Sequence, residues 1–180
     1  MLTVIGALAS YKCEPFPITL QAFFAVLSGI VLGGTDGAIS QILYIAVGLV
    51  GLPVFAYGGG YKYVLEPTFG YLVGMAVGSF VAGIILRRFK TLNAGKVFGA
   101  SLSGLACVYV LGTAYQVLMF VFDRGYNFVD ALKTLECVPI AFAVQAVLLL
   151  IVAFIYPKVK TMIGSMNREE FKDNGLPQSG

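Results

Sequence analysis

The chain has 180 residues, 58% of them hydrophobic and 12% charged, with a mean hydropathy of +0.87. A soluble domain carries about a quarter charged residues, so the composition excludes a water-wetted globule and predicts an all-α integral membrane protein. The absence of histidine excludes His-based acid–base catalysis, Ser-His triads and His metal sites, and the small net charge of +3 matters less than where its cations fall.

Six apolar segments follow in chain order. The first, MLTVIGALAS, lacks a basic leader and a cleavage site, so it is not read as a signal peptide. It ends near Tyr11 and is short for a hydrocarbon core of about 30 Å at about 1.5 Å per residue. Either it is a partial helix or the reading frame starts upstream. The second covers residues 18–33, with Pro15 and Pro17 before or at its start, where a missing N–H does little harm. Gly33, Gly34, Asp36 and Gly37 predict a tight turn, and the third segment covers 38–51. Residues 52–67 are irregular, with Pro53 and the run Gly58, Gly59 and Gly60. The fourth segment covers 68–86, and a basic loop with Arg87, Arg88, Lys90 and Lys96 follows. The fifth covers 97–122 and ends at the polar turn Asp123-Arg124-Gly125. The sixth spans 127–156, with Pro139 predicted to kink or split it. The layout is a single six-helix membrane domain over 1–157 and a charged, frayed tail over 158–180.

Six passes put both termini on one side. That side holds Arg87, Arg88, Lys90, Lys96, Lys158, Lys160, Arg168 and Lys172, against Lys12, Lys62, Arg124 and Lys133 opposite. The excess makes both termini cytoplasmic. The outer side also carries Glu14, Glu66, Asp123, Asp130 and Glu136, so its loops mix both signs. Glycine is frequent, at 22 residues, and recurs as Gly70-x-x-x-Gly74-x-x-x-Gly78, then Gly83, and as Gly95-x-x-x-Gly99. Such spacing lets helix backbones approach closely in lipid. It fits ordinary bundle packing or a face for a partner membrane protein.

Candidate chemistry gathers in two places. Residues 52–72 combine three consecutive glycines, several tyrosines and a Lys/Glu pair. Irregular backbone near a membrane needs a protein or water-lined cavity, so this stretch is either a ligand-capping loop or an interfacial loop whose tyrosines form an aromatic belt. The sixth segment opens with Asp130, Lys133 and Glu136, spaced to share one helix face, either at the water interface or facing a cavity. Gln145 and Gln21 are amides in apolar surroundings that need hydrogen-bond partners. Cys13, Cys107 and Cys137 form no CxxC pair, so neither a zinc site nor a disulfide framework is expected. The Gly58–Gly60 run lacks the GK[ST] of a P-loop, so active transport would draw on an ion gradient or a separate ATPase. No nucleic-acid patch is visible.

The segments PITLQ (17–21), LSGIVLGG, GAISQILYIAVGLVGLPVFA (37–56), the GGG run and PTFGYLVG (67–74) resemble BioY, in family order and with family-like spacing from about residue 15 to 83. The second half agrees only in layout. BioY is the substrate-capturing S component of energy-coupling-factor (ECF) biotin transporters. The resemblance implies a six-transmembrane-helix bundle that binds biotin at the outer face of a prokaryotic cell membrane. It also implies a transmembrane coupling subunit and two ABC-type ATPases as partners, with ATP hydrolysis outside this non-enzymatic chain, and it favours the capping reading of 52–67.

Two departures stand out. The family's last helix carries PF-x-x-GD-x-x-K, whose charged residues help to form the ligand site. Here the corresponding run is VPIAFAVQAV, with Ala141 or Phe142 for the Gly-Asp and Gln145 for the lysine. A related ligand such as lipoate or dethiobiotin therefore stays open beside biotin. The docking spacing expected on the first helix reduces to Gly6-x-x-x-Ser10. The expected substrate-binding side chains are Gln21, Tyr61, Lys62, Glu66, Tyr71, Lys133 and Gln145, with Gly58, Gly59 and Gly60 in the capping loop and Gly6 and Ser10 for partner docking. No metal or cofactor is expected. A channel or solitary ion-coupled carrier would line several helices with ionisable residues through the membrane depth, whereas here they lie almost entirely near the segment ends; a solitary ion-coupled carrier stays the alternative, and a membrane-embedded enzyme lacks a convincing acid–base set.

Overall fold

The structure is a computed structural model that describes the chain at residues 3, 10–11, 18–56 and 58–173. Two short strands, β1 (Ser10–Tyr11) and β2 (Ile18–Thr19), pair antiparallel with Ser10 opposite Thr19 and Tyr11 opposite Ile18. Everything larger is helical: α1 (Gln21–Leu32), α2 (Gly34–Leu49), a 3-10 turn at Tyr61–Leu65, α3 (Phe69–Arg87), α4 (Ala94–Phe122), α5 (Phe128–Lys133) and α6 (Val138–Asp173). Three stretches, Phe69–Arg87, Ala94–Phe122 and Phe128–Met162, are long and apolar enough to cross a membrane, and Gln21–Leu32 is a shorter apolar helix. Large apolar side chains stand outward on α2, α4 and α6, with Leu43 60%, Val110 65% and Phe154 59% exposed. A surface so apolar is stable against lipid tails rather than water. The chain is thus an all-helical membrane protein in its described bundle, apart from the two-residue strands.

Several boundaries differ from the sequence reading. The expected first segment lies outside the described residues except for Thr3, Ser10 and Tyr11, so the bundle stands without the count of six spans. Gly6 is outside them too, and Ser10 sits in extended backbone rather than on a helical docking face. Helix α1 starts at Gln21 rather than residue 18, because Ile18 and Thr19 are held in β2. The four-residue turn expected after residue 33 shrinks to Gly33 alone. Its φ of 100° reverses the chain between α1 and α2, a conformation that favours glycine.

The break in the last segment falls before Pro139. A short α5 and a turn through Glu136 precede Val138, and Pro139 occupies the first turn of α6, where its missing N–H is harmless. Helix α6 runs through Pro157 to Asp173, over the first part of the expected charged tail, whose last residues, 174–180, lie outside the described residues. At about 1.5 Å per residue it is about 54 Å long and exceeds a core of about 30 Å.

Helix α3 is the hub of the bundle. On one side, a Cβ at Gly74 would lie 2.7 Å from the Val108 carbonyl oxygen, and one at Gly78 would lie 2.5 Å from that of Gly104 on α4. On the other, a Cβ at Gly29 of α1 would overlap the Ser79 carbonyl of α3, and one at Gly83 would overlap the Gly34 amide. The Gly70–Gly78 stripe and Gly83 are therefore bundle packing. Gly99 meets open space. The core beneath, including Val26, Ala82, Val97, Leu105, Val108 and Leu149, is fully buried.

The two ends of the bundle differ in charge. Arg87, Arg88, Lys90 and Lys96 cluster where α3 turns into α4, and the Asn93 side chain caps α4 by accepting from the Lys96 amide at 2.9 Å. Arg87, Lys90 and Lys160 line a cleft of about 390 Å³ at that end. The start of α3, about five turns away, borders a different cavity.

Candidate functional site

This second cavity, of about 100 Å³, lies where β2, the starts of α1 and α3, the second half of α4 and the start of α6 converge. Its walls are Thr19 of β2, Gln21 and Ala22 of α1, and Ala56, Tyr63 and Thr68 of the irregular segment. Helix α3 adds Tyr71, Leu72 and Met75, and α4 adds Tyr109 and Gln116. Thr134 and Cys137 come from the turn between α5 and α6, and Val138, Ala141 and Gln145 from α6. None of these lining residues is Asp, Glu, Lys or Arg. Flat aromatic and aliphatic walls with a few fixed polar groups are the usual make-up of a small-molecule site.

The polar groups are held in fixed orientations. The Gln21 amide nitrogen donates to the Tyr44 hydroxyl at 2.6 Å, which donates onward to the Val54 carbonyl at 2.7 Å. The Thr19 hydroxyl donates to Gln21 Oε1 at 3.2 Å. Across the cavity, Tyr71 donates to Gln116 Oε1 at 2.9 Å, while Gln116 Nε2 reaches the Thr134 carbonyl and hydroxyl at 3.2 and 3.1 Å. Tyr71, Tyr109 and Phe142 form an edge-to-face series with centroids 5.8 and 5.3 Å apart. Gln145 Nε2 donates to the Thr19 carbonyl at 2.7 Å, tying α6 to β2. Gln145 is 2% exposed, and its Oε1 is buried with no hydrogen-bond partner among the described residues. Leaving a buried polar atom unpaired costs about 1–3 kcal/mol.

The irregular segment seats one face of the cavity. Gly58 and Gly60 have φ of 106° and 107°, and the Gly60 amide donates to the Gly48 carbonyl at the end of α2 at 2.8 Å. A Cβ at Gly59 would overlap the Leu52 carbonyl. The three glycines thus fold the segment back onto α2 without touching the cavity. Phe55 fills the space over Gly48 and stacks between Tyr44 and Tyr63 at centroid distances of 5.5 and 4.5 Å. The 3-10 turn then sends Tyr63 inward and Tyr61 outward.

The cavity brings together three of the seven expected binding side chains, Gln21, Tyr71 and Gln145. The other four lie elsewhere. Tyr61 is 75% exposed and Lys62 is exposed beside it. Glu66 pairs with Arg124 at 3.4 Å on the surface, and Lys133 pairs with Asp130 at 2.7 Å, both partners solvated. Glu136 is exposed beyond the end of α5, so the acidic–basic trio takes the water-interface reading. Gln116 and Tyr109 were missed, although Gln116 offers the same signal as Gln145, an amide inside an apolar helix. That signal is not sufficient alone: Gln41 gives it too, yet bonds Ser28, Ser40 and Thr3 within the bundle. One further expectation is corrected. Cys137 is disulfide-bonded, while Cys107 is free; scattered positions in sequence did not disclose which thiols meet in space.

A family model described as the BioY family matches residues 1–165. A Lysinibacillus sphaericus protein named "Probable biotin transporter BioY" is 43% identical over 114 residues, covering 63% of this chain and 58% of that protein. A Pyrococcus horikoshii protein of the same name is 37% identical over 127 residues, covering 69% of this chain and 74% of that protein. The chain therefore spans little more than half of the Lysinibacillus relative. A crystal structure of the S-component for biotin from an ECF-type ABC transporter superposes with a TM-score of 0.72 at 23% identity, over 89% of this chain and 85% of that one. That likeness shows the fold.

Proposed function

The chain belongs to the BioY family, and we propose that it is the substrate-capturing S component of a biotin uptake transporter. Biotin binds in the cavity between β2, α1, α3, α4 and α6, whose described lining residues carry no charged side chain, with Gln21, Tyr71 and Gln145 among its contacts. The observation that carries this reading is the cavity itself: apolar and aromatic walls with three oriented amides suit a ligand with an apolar body and a polar ring. The names of the relatives supply the ligand. The cavity end faces outward and the basic end faces the cytoplasm, where the positive-inside rule puts Arg87, Arg88, Lys90 and Lys96. Both termini are cytoplasmic in a six-span arrangement of the cell membrane. A transmembrane coupling subunit and two ABC-type ATPases supply the energy for import.

The test is equilibrium binding of labelled biotin to the purified chain, with dethiobiotin and lipoate as competitors. Biotin binding below about micromolar concentration, displaced by excess dethiobiotin, is the expected result. Lipoate binding without biotin binding would contradict the biotin assignment. Co-purification with an ATPase module separates an S component from a carrier that works alone.

A further inference from the structure

The basic end of the bundle carries a cleft with a use of its own. Helix α3 rises about 28 Å over its 19 residues at about 1.5 Å each, close to a hydrocarbon core of about 30 Å. Arg87, its last residue, therefore stands at the level of the lipid headgroups. The cleft beside it, of about 390 Å³, has Arg87, Lys90 and Lys160 among its walls. Its floor is apolar: Ile30 of α1 and Leu86 of α3 are 3% and 5% exposed. The Arg87 guanidinium lies against the turn between α1 and α2, where a Cβ at Gly33 would overlap it. Lys160 is set in place through α6: its Nζ lies 5.9 Å from the centre of the Tyr156 ring, and the Tyr156 hydroxyl donates to the Ile30 carbonyl at 3.0 Å. No described carboxylate pairs with any of the three cations. Their neighbours differ. Lys96 donates to the carbonyl and hydroxyl of Thr91 at 2.9 Å, and Arg88 does not line the cleft.

We propose that this cleft binds an anionic phospholipid, its phosphodiester held by Arg87, Lys90 and Lys160 and its acyl chains running past Val31 and Leu32. The planar fork of an arginine matches phosphate oxygens in pairs, and lysines add point charges. Val31 and Leu32 also line the cleft, are more than half exposed, and carry its apolar surface outward onto the bundle. A ligand that is anionic at one end and hydrocarbon at the other uses both parts. A free phosphate or an acidic protein segment uses the rim alone. Basic pockets between membrane helices on the cytoplasmic side suit such headgroups. The inference does not depend on what fills the other cavity.

The experiment titrates phosphatidylglycerol labelled on its tail into the purified full chain in detergent, with unlabelled phosphatidylglycerol, phosphatidylcholine and inorganic phosphate as competitors. Phosphatidylglycerol is expected to compete about tenfold better than phosphatidylcholine, and millimolar inorganic phosphate not at all. A lysine or arginine near an anionic lipid surface contributes about fivefold. Lys160→Gln is therefore expected to weaken phosphatidylglycerol binding about fivefold, and its combination with Arg87→Gln about tenfold or more, with loss of the preference over phosphatidylcholine. Arg88→Gln removes the same charge outside the cleft and is expected to stay within about twofold of the unaltered chain. Equal competition by the two lipids overturns the proposal, as does an equal loss in Arg88→Gln, which would make the attraction a diffuse surface charge. Displacement by inorganic phosphate overturns it in favour of a simple anion site. Unchanged lipid binding in the double variant, with loss of a co-purifying ATPase module, overturns it in favour of a protein-docking face.

Discussion

Helix α3 shows two kinds of interior within five turns. Its middle and far end meet α1, α2 and α4 through glycines, with backbone against backbone and no space for even one added carbon at Gly29 or Gly78. Its start meets α4 through the Tyr71–Gln116 hydrogen bond, and Gln145 of α6 is tied to Thr19 of β2 at the border of the same cavity. In lipid no hydrophobic force draws helices together, so close packing by small residues builds the rigid half. Amides and tyrosines, which must pair, set the shape of the open half. Rigidity and recognition are thus separated along one helix by side-chain size and polarity.

The comparison is broken hardest at the glycine face. Gly29→Val drives a side chain into the Ser79 backbone, where neither element can shift alone. Overpacking of about 1–3 kcal/mol or more is expected, seen as a collapse of folded yield or a lower midpoint of thermal inactivation in detergent, with or without biotin. Recovery of normal yield and midpoint would contradict the close contact. Gln116→Leu is the matching change at the open end. It unpairs Tyr71 and Thr134, so biotin affinity falls at least tenfold. Since Gly74, Gly78 and Gly83 are untouched, the protein still purifies as a folded monodisperse species. A loss of folding without ligand, rather than of affinity, would erase the distinction between the two halves.

Smaller effects sharpen the edge of the site. Lys133→Ala and Tyr61→Ala alter exposed side chains outside the cavity and are expected to keep biotin affinity within about twofold, because solvated surface groups contribute little. A tenfold loss in either would bring the outer loop into the site. Glu66→Ala, which removes the solvated pair with Arg124, is expected to lower stability by about 0.5 kcal/mol or less, measured as a thermal midpoint shift at the limit of detection.

The membrane character, the irregular 52–67 segment and the packing role open to the Gly70–Gly78 stripe were legible because each follows from composition or local periodicity. The breaks were less so. Pro139 marks a helix start rather than a kink, since proline suits a first turn as well as it disrupts an interior. Gly33 alone reverses the chain where four turn-forming residues were available. At the site, Gln21, Tyr71 and Gln145 were legible as polar groups with apolar neighbours. Lys62 and Lys133 were misleading because a charge near a helix end is as easily solvated as buried, and only the three-dimensional pairing of Lys133 with Asp130 decides. The 3-10 turn separates Tyr61 from Tyr63 with no sequence signal to tell them apart. Gln116 offered the same amide signal as Gln145 and was missed, and only the fold discloses its pairing with Tyr71, 45 positions away.

The most direct test of the account is to map where a biotin-based photoaffinity probe attaches to the purified chain, with excess biotin as competitor. The account predicts biotin-protected labelling on the cavity-lining parts of α3, α4 and α6, at peptides carrying Tyr71, Tyr109, Gln116, Ala141 or Gln145. Protected labelling confined to Tyr61, Lys62 and the Asp130–Lys133 turn, or to the basic cleft of Arg87 and Lys160, would contradict it.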